Sequence, residues 1–357
     1  MSTAAEAACY RQKINDLMRP ISEPVIIEDV YSEAQYEALM DVVRQNGPWP
    51  TIMAHHFTTV EQVIATNSGQ VPDNITLDDL TRPNFRGFFA EDSVCYYPEL
   101  YDCFYSPKFL HLVKSYWRAQ YARPTMYLFN FSGPMGAGLT PHTDATTFRG
   151  VRRENSPLWL QNVMTKSGLF QDYMIKTAQV ITWWYKEGIG GSFTYWPDGP
   201  FGLPKAIGAP MWNRGVVVQN EMMFHRGDAS GPVELRNPPG VKFRSLLEND
   251  PADRDCWIIT TDREPIARYH TDRMRLLVHW SADLYTDMAE WKTVMNHTDD
   301  LTHDQVFETL MRDLRARGVA FTPPADPLHD NDFIGVLIEA YDIMPEILEI
   351  PAERAAA

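Results

Sequence analysis

The chain is poor in the features that would assign it to several common classes. It has four cysteines, Cys9, Cys95, Cys103 and Cys256, with no CxxC spacing and no dense framework, so neither a disulfide scaffold nor a thiolate zinc site is indicated. They read as reduced thiols of a cytosolic protein. Basic charge is also scarce: 32 Lys and Arg stand against 47 Asp and Glu, a formal net charge of -15. That balance argues against a nucleic-acid partner and leaves no basic patch for a membrane surface. No stretch approaches the roughly 20 apolar residues of a membrane span, and the N-terminus lacks the basic-then-apolar pattern of a targeting segment. Internal repeats and low-complexity segments are absent too. What remains, 357 residues at 44% hydrophobic and 12% aromatic, describes a globular protein with a substantial core; oligomeric state is not readable.

The chain is organised in three parts. Residues 1–124 read as an N-terminal helical and irregular region that packs on the core. A short helical pattern ends at Arg19-Pro20, and Pro24–Ile27 reads as a brief strand. Ser32 with Gln35 three residues on marks the start of a helix that stops at Asn46-Gly47-Pro48. Residues 49–95 read as irregular, and a second helix is expected from Pro107 to Tyr121. From Thr125 the character changes. Strands are expected at Thr125–Phe131, Thr177–Tyr185, Ser192–Trp196, Arg214–Asn220 and Arg273–Trp280, with a hairpin about Asp262–Pro265. Residues 125–285 form the expected core, with insertions at 151–175 and 226–272. Residues 286–357 return to helix, at about 303–317 and 332–341. Short strands separated by turn signals favour an antiparallel sandwich or jelly roll: mainly β with flanking helices.

One stretch carries chemistry. Gly136-Ala137-Gly138-Leu139-Thr140-Pro141-His142-Thr143-Asp144 sets a histidine and an aspartate two residues apart, so in extended backbone both face the same way and reach one ion. His-Thr-Asp recurs at 270–272 and 297–299, so position decides between the copies. Only the first is preceded by a strand and glycines and followed by enough β-rich chain to return a third ligand. His225, at the end of Val216–Phe224, is the candidate; as a lone histidine it would read as a core residue hydrogen-bonded to backbone. Two histidines and a carboxylate on one side of a metal are the donor set of non-haem Fe(II) oxygenases.

With these residues in place, the segment from about 125 to 285 resembles the Fe(II)/2-oxoglutarate-dependent dioxygenase superfamily. Leu128-Phe129-Asn130-Phe131 followed by Gly138–Asp144 is similar to the strand and metal loop of plant-type members. Gly190-Gly191-Ser192-Phe193-Thr194-Tyr195-Trp196-Pro197 resembles the double-glycine strand of prolyl-hydroxylase-like members, and the segment ending His225-Arg226 the distal-histidine strand of both groups. The resemblance implies a double-stranded β-helix, a distorted cupin-like jelly roll, and a site of His142, Asp144 and His225 as metal ligands and catalytic centre. It implies Fe(II), 2-oxoglutarate and O2 as cofactor and co-substrates, with release of succinate and CO2. It further implies an arginine on the late strand, Arg273 or Arg275, gripping the far carboxylate of 2-oxoglutarate, with Asn130 as a contact to the keto acid or a metal-bound water. Arg236 has the more usual offset from His225 but is followed by Asn237-Pro238-Pro239, which is poor strand material. Asp144 argues for hydroxylation, desaturation or oxidative cyclisation, since halogenating relatives lack that carboxylate. A small-molecule substrate, an amino acid or specialised metabolite, is expected. The rival readings are a cupin-like metal enzyme that does not use 2-oxoglutarate, and a non-catalytic binding protein on the same scaffold.

Overall fold

A computed structural model describes residues 4–67, 74–136, 140–186 and 188–345. Ala137, Gly138 and Leu139 of the glycine-rich approach lie outside the described residues.

A seven-stranded antiparallel sheet runs in the order Val25–Ile27, Met211–Val218, Lys176–Tyr185, Arg275–Tyr285, Tyr121–Ser132, Asn84–Glu91 and Val94–Cys95. The strand Lys176–Tyr185, rich in β-branched and aromatic residues, is buried along almost its whole length, as a central strand covered on both faces should be. Alternation divides Arg275–Tyr285 between those faces. Leu276, Val278, Trp280, Ala282 and Leu284 join the largest core cluster, with Leu39, Met40 and Val43 of the helix Glu33–Gln45 and Phe109 and Val113 of the helix Pro107–Trp117. The Trp280 indole satisfies its donor on the Phe104 carbonyl at 2.7 Å. Leu277 turns the other way, towards the second sheet, and so by alternation do Arg275, His279, Ser281 and Asp283.

That second sheet, in the order His225–Gly227, Phe193–Tyr195 and Lys205–Ile207, covers the inner face. Phe193, Tyr195 and Ile207 pack on Ile181, Trp183 and Tyr185. The chain is thus mainly β, two facing antiparallel sheets with helices outside, as expected. The expected insertion 226–272 supplies three strands, Glu264–His270, Cys256–Thr261 and Leu246–Asn249, of a four-stranded sheet completed by Trp49–Pro50. Its hairpin turns at Asp262 and Arg263, both at positive φ (55° and 71°), which suits the right-handed strand twist.

The Ser32 capping box forms as read: Ser32 Oγ accepts from Gln35 N at 3.2 Å, and Gln35 Oε1 from Ser32 N at 2.9 Å. The second helix stops at Trp117 rather than Tyr121, because Arg118 takes the left-handed conformation at φ 56°. The larger difference lies in residues 49–95. Asn84–Glu91 is a full strand paired with Tyr121–Ser132, so the main sheet draws on the first 124 residues. Its period is hidden by Gly87 and by an irregularity between Phe88 and Ala90. The insertion 151–175 is partly helical, at Leu158–Ser167, and packs through Leu160 and Val163 against Phe307, Leu310 and Leu337 of the tail helices His303–Ala316 and Asn331–Ala340.

Candidate metal centre

The facing sheets bring the first His-Thr-Asp copy against the distal histidine. His142 N donates to His225 O at 3.0 Å and His225 N to His142 O at 2.9 Å, an antiparallel bridge between the loop and the strand His225–Gly227. Asp144 N donates to Asn220 O at 3.0 Å, so the backbone holds the loop at two points. Thr143, between the two candidate ligands, is buried.

The side chains converge. His142 Nδ1 donates to Thr140 O at 3.0 Å and His225 Nδ1 to Met223 O at 3.1 Å, tautomers that leave both Nε2 lone pairs free. The two rings lie 4.6 Å apart between centroids, and Asp144 Oδ1 is 3.6 Å from His225 Nε2. One donor atom from each of His142, Asp144 and His225 lies within 4.8 Å of the others; among the described residues this is the one such group. The other two copies are turn structure. The His270 imidazole accepts from Asp272 N at 3.2 Å, and His297 Nδ1 meets Asp300 Oδ2 at 2.7 Å on the exposed surface.

The protonation states suit a metal. Burial, opposed in part by Asp144, pushes His225 down to about 4, and the same two effects bring His279 to about 4. Burial alone would raise the Asp144 carboxyl, but His225, His279, His142 and Arg86 around it hold it below its ordinary value. At neutral pH His225 is therefore a neutral imidazole beside the Asp144 carboxylate, and both bind a cation without first losing a proton.

A cavity of about 320 Å³ opens beside the trio, with His142 and Asp144 in its wall and the Asp144 side chain 30% exposed into it. Arg86, His279 and Glu221 line it as well, and none of them was singled out from sequence. Arg86 Nε donates to Asn130 Oδ1 at 2.8 Å and Nη1 to His56 Nε2 at 2.5 Å. His279 Nε2 is buried without a hydrogen-bond partner among the described residues. Its signal was present, since His279 shares the alternation of Arg275. Arg86 sat in a strand read as irregular. The Asn130 carboxamide oxygen, expected to face the keto acid or a bound water, is taken by Arg86.

The two late arginines do not share a strand face. Thr271–Arg273 forms a single 3₁₀ turn, started by the His270 side chain, and leaves Arg273 exposed; the strand begins at Arg275. Arg275 points inward. Its Nε donates to Gly191 O at 3.2 Å, its guanidinium lies 5.3 Å from the Tyr185 ring centroid, and Tyr185 Oη donates to the same carbonyl at 2.7 Å. Gly191 adopts φ 81°, and a Cβ there would fall 3.1 Å from Arg275 Cδ, so the double glycine both turns the chain and lets it approach the arginine.

No family model and no curated protein matches the chain. Solved structures do. One is a 2OG-Fe(II) oxygenase family protein from Burkholderia pseudomallei, at 10% identity, covering 80% of this chain and 96% of that one, with a TM-score of 0.39. Another is the viral collagen prolyl hydroxylase of Paramecium Bursaria Chlorella virus-1, a 2OG complex, at 9% identity, 73% and 97% coverage and a TM-score of 0.35. A third is HygX from Streptomyces hygroscopicus with nickel and 2-oxoglutarate bound, at 10%, 80%, 88% and 0.32. The chemistry of the site rests on its own residues.

Proposed function

We propose that the protein is an Fe(II)- and 2-oxoglutarate-dependent oxygenase acting on an unactivated C–H bond of a small molecule. The observation that carries this reading is the donor set: two imidazoles and one carboxylate, each with a donor atom within 4.8 Å of the others, beside a cavity that His142 and Asp144 line. Two histidines and one carboxylate suit ferrous iron and leave coordination positions for other ligands. When bound, iron and 2-oxoglutarate would supply the oxidising power through decarboxylation of the keto acid to succinate and CO2.

The chain's own part is to bind, orient and exclude water. His142, Asp144 and His225 hold the ion, and the Thr140 and Met223 carbonyls fix the imidazoles. The far carboxylate of 2-oxoglutarate goes to an inward-facing guanidinium, where a planar fork grips it. Arg275 takes that role on the resemblance of its strand. Arg86 is the second reading, favoured by its place in the cavity wall beside His142 and Asp144. Arg273 is exposed and drops out. Hydroxylation, desaturation and cyclisation all remain compatible with Asp144. Among the described residues no helix is long and apolar enough to cross a membrane. The cytosolic placement is part of the proposal and rests on four free thiols, three of them buried.

Incubation with Fe(II), ascorbate, O2 and 2-oxoglutarate tests the reading. Succinate should accumulate, and Asp144→Ala should abolish its release. A metal-dependent turnover that leaves 2-oxoglutarate intact would instead support a cupin-like enzyme of another type.

A further inference from the structure

Glu221 sits in the turn between the strand Met211–Val218 and His225, and its neighbours are tied to the metal loop. Asn220 O accepts from Asp144 N, Asn220 N donates to Gln179 Oε1 at 3.0 Å, and Gln179 Nε2 donates to Glu221 Oε1. The Gln179 carboxamide thus fixes one oxygen of the carboxyl. The other, Oε2, has no hydrogen-bond partner among the described residues, although Glu221 is only 6% exposed and lines the cavity. A buried carboxyl without a counter-charge is costly, and the cost is removed when a cation meets it.

Four arginines line the cavity, Arg86, Arg123, Arg152 and Arg153, and the charge of Arg152 acts on Asp283 and Tyr285. Arg123 pairs with Asp283 at 2.7 Å and Arg153 with Glu91 at 3.7 Å. Arg86 lies in a different row of the sheet: it is opposite Asn130 and Leu277, whereas Gln179 is opposite Ser281. Four residues of strand separate those rows, roughly 13 Å. Burial, and then the Asp144 charge, push Glu221 up to about 7 against the opposing pull of hydrogen bonding to Thr177 and Gln179. Thr177 and Ser281 add hydroxyls to the same wall, and Gln161, 1% exposed, offers an Nε2 with no partner among the described residues. Six carboxyl groups stand against four arginines in the wall, an acidic balance.

We propose that the primary substrate carries a positively charged nitrogen and that the Glu221 carboxylate receives it; this rests on the oxygenase reading above. The carbon to be oxidised then belongs to the same small molecule, held in the cavity that His142, Asp144 and Glu221 all line.

Saturation-transfer NMR on protein loaded with Zn(II) and 2-oxoglutarate tests this with two probe pairs, n-hexylamine against n-hexanol and 1,5-diaminopentane against 1,5-pentanediol. In each pair the charged member should bind at least ~10-fold tighter, a difference of about 1.4 kcal/mol. Glu221→Gln should remove the preference and Glu221→Asp should keep part of it, with metal content and thermal unfolding measured on both variants to show that they are folded and loaded. Equal binding within the pairs, no binding of either cation up to roughly 10 mM, or a preference that survives Glu221→Gln would overturn the proposal. Anaerobic binding of Fe(II) and 2-oxoglutarate by the same preparations reports on the oxygenase reading separately: if it fails, that reading fails, whatever the amines do.

Discussion

His142 and His225 are joined through their backbones, each donating its N–H to the other's carbonyl, at 3.0 and 2.9 Å. This reciprocal pair closes the small sheet onto the metal loop and sets the two imidazoles side by side before any ion arrives. Pre-set donors lose less freedom on binding, so the ligands should act as a unit.

Replacing either histidine should therefore remove most of the metal affinity. His142→Ala and His225→Ala should each lower Fe(II) affinity by more than roughly 100-fold, beyond the 10- to 100-fold typical of losing a supporting contact. Alanine at His270 or His297, in the other two His-Thr-Asp copies, should leave it within about twofold. Metal content after dialysis, measured by atomic emission, decides this.

The three arginines should separate cleanly. Arg273→Gln, on an exposed turn, should leave 2-oxoglutarate binding unchanged. Arg275→Gln should weaken it by one to two orders of magnitude, a charge-assisted bidentate contact being worth roughly 1.5–3 kcal/mol. If Arg86→Gln shows that loss instead, the anchor is on the strand Asn84–Glu91. Anaerobic calorimetry of the metal-loaded variants reads the difference.

Much of this site was legible in the sequence. The two-residue spacing of His142 and Asp144, and a strand of valines leading to His225, were enough to nominate the trio, because alternation and chain return are local rules. Arg86 was not legible: Gly87 and the bulge after Phe88 break the period of its strand, and its partner Asn130 comes from a strand read separately. Arg273 and Arg275 read as one strand because nothing in Arg-Met-Arg shows that a 3₁₀ turn capped by His270 ends at the first of them. Gln179 is a polar position in an apolar run and Glu221 the last of three polar residues between two such runs, signals that gain meaning only when the cavity is known.

Acid and base should act on the apo-protein with opposite signs at two cavity residues. His279, depressed to about 4 in the folded state from an ordinary 6.5, gives its full stability above about pH 6.5 and loses it as pH falls towards 4. Glu221, raised to about 7 from 4.5, costs nothing at low pH and destabilises increasingly as pH rises through 4.5 to 7. Urea unfolding should accordingly show His279→Gln gaining on the parent protein at pH 5 relative to pH 8, and Glu221→Gln gaining at pH 8 relative to pH 5, each on the order of 1–3 kcal/mol.

Gly87 couples the N-terminal region to the sheet. A Cβ there would stand 2.4 Å from the Trp49 ring and 2.5 Å from that of Phe129. Gly87→Ala should cost about 1–3 kcal/mol of stability by overpacking, visible as a lower urea midpoint. Metal affinity should stay within about twofold, since no donor atom touches this position.

The most direct measurement is an anaerobic titration of the apo-protein with Fe(II) and then 2-oxoglutarate, followed by visible absorption. A weak charge-transfer band should appear only when both are present, saturate at one equivalent of each, and vanish in His142→Ala and His225→Ala. Absence of the band in the parent protein, or its persistence in both variants, would contradict the assignment of His142, Asp144 and His225 as the iron site.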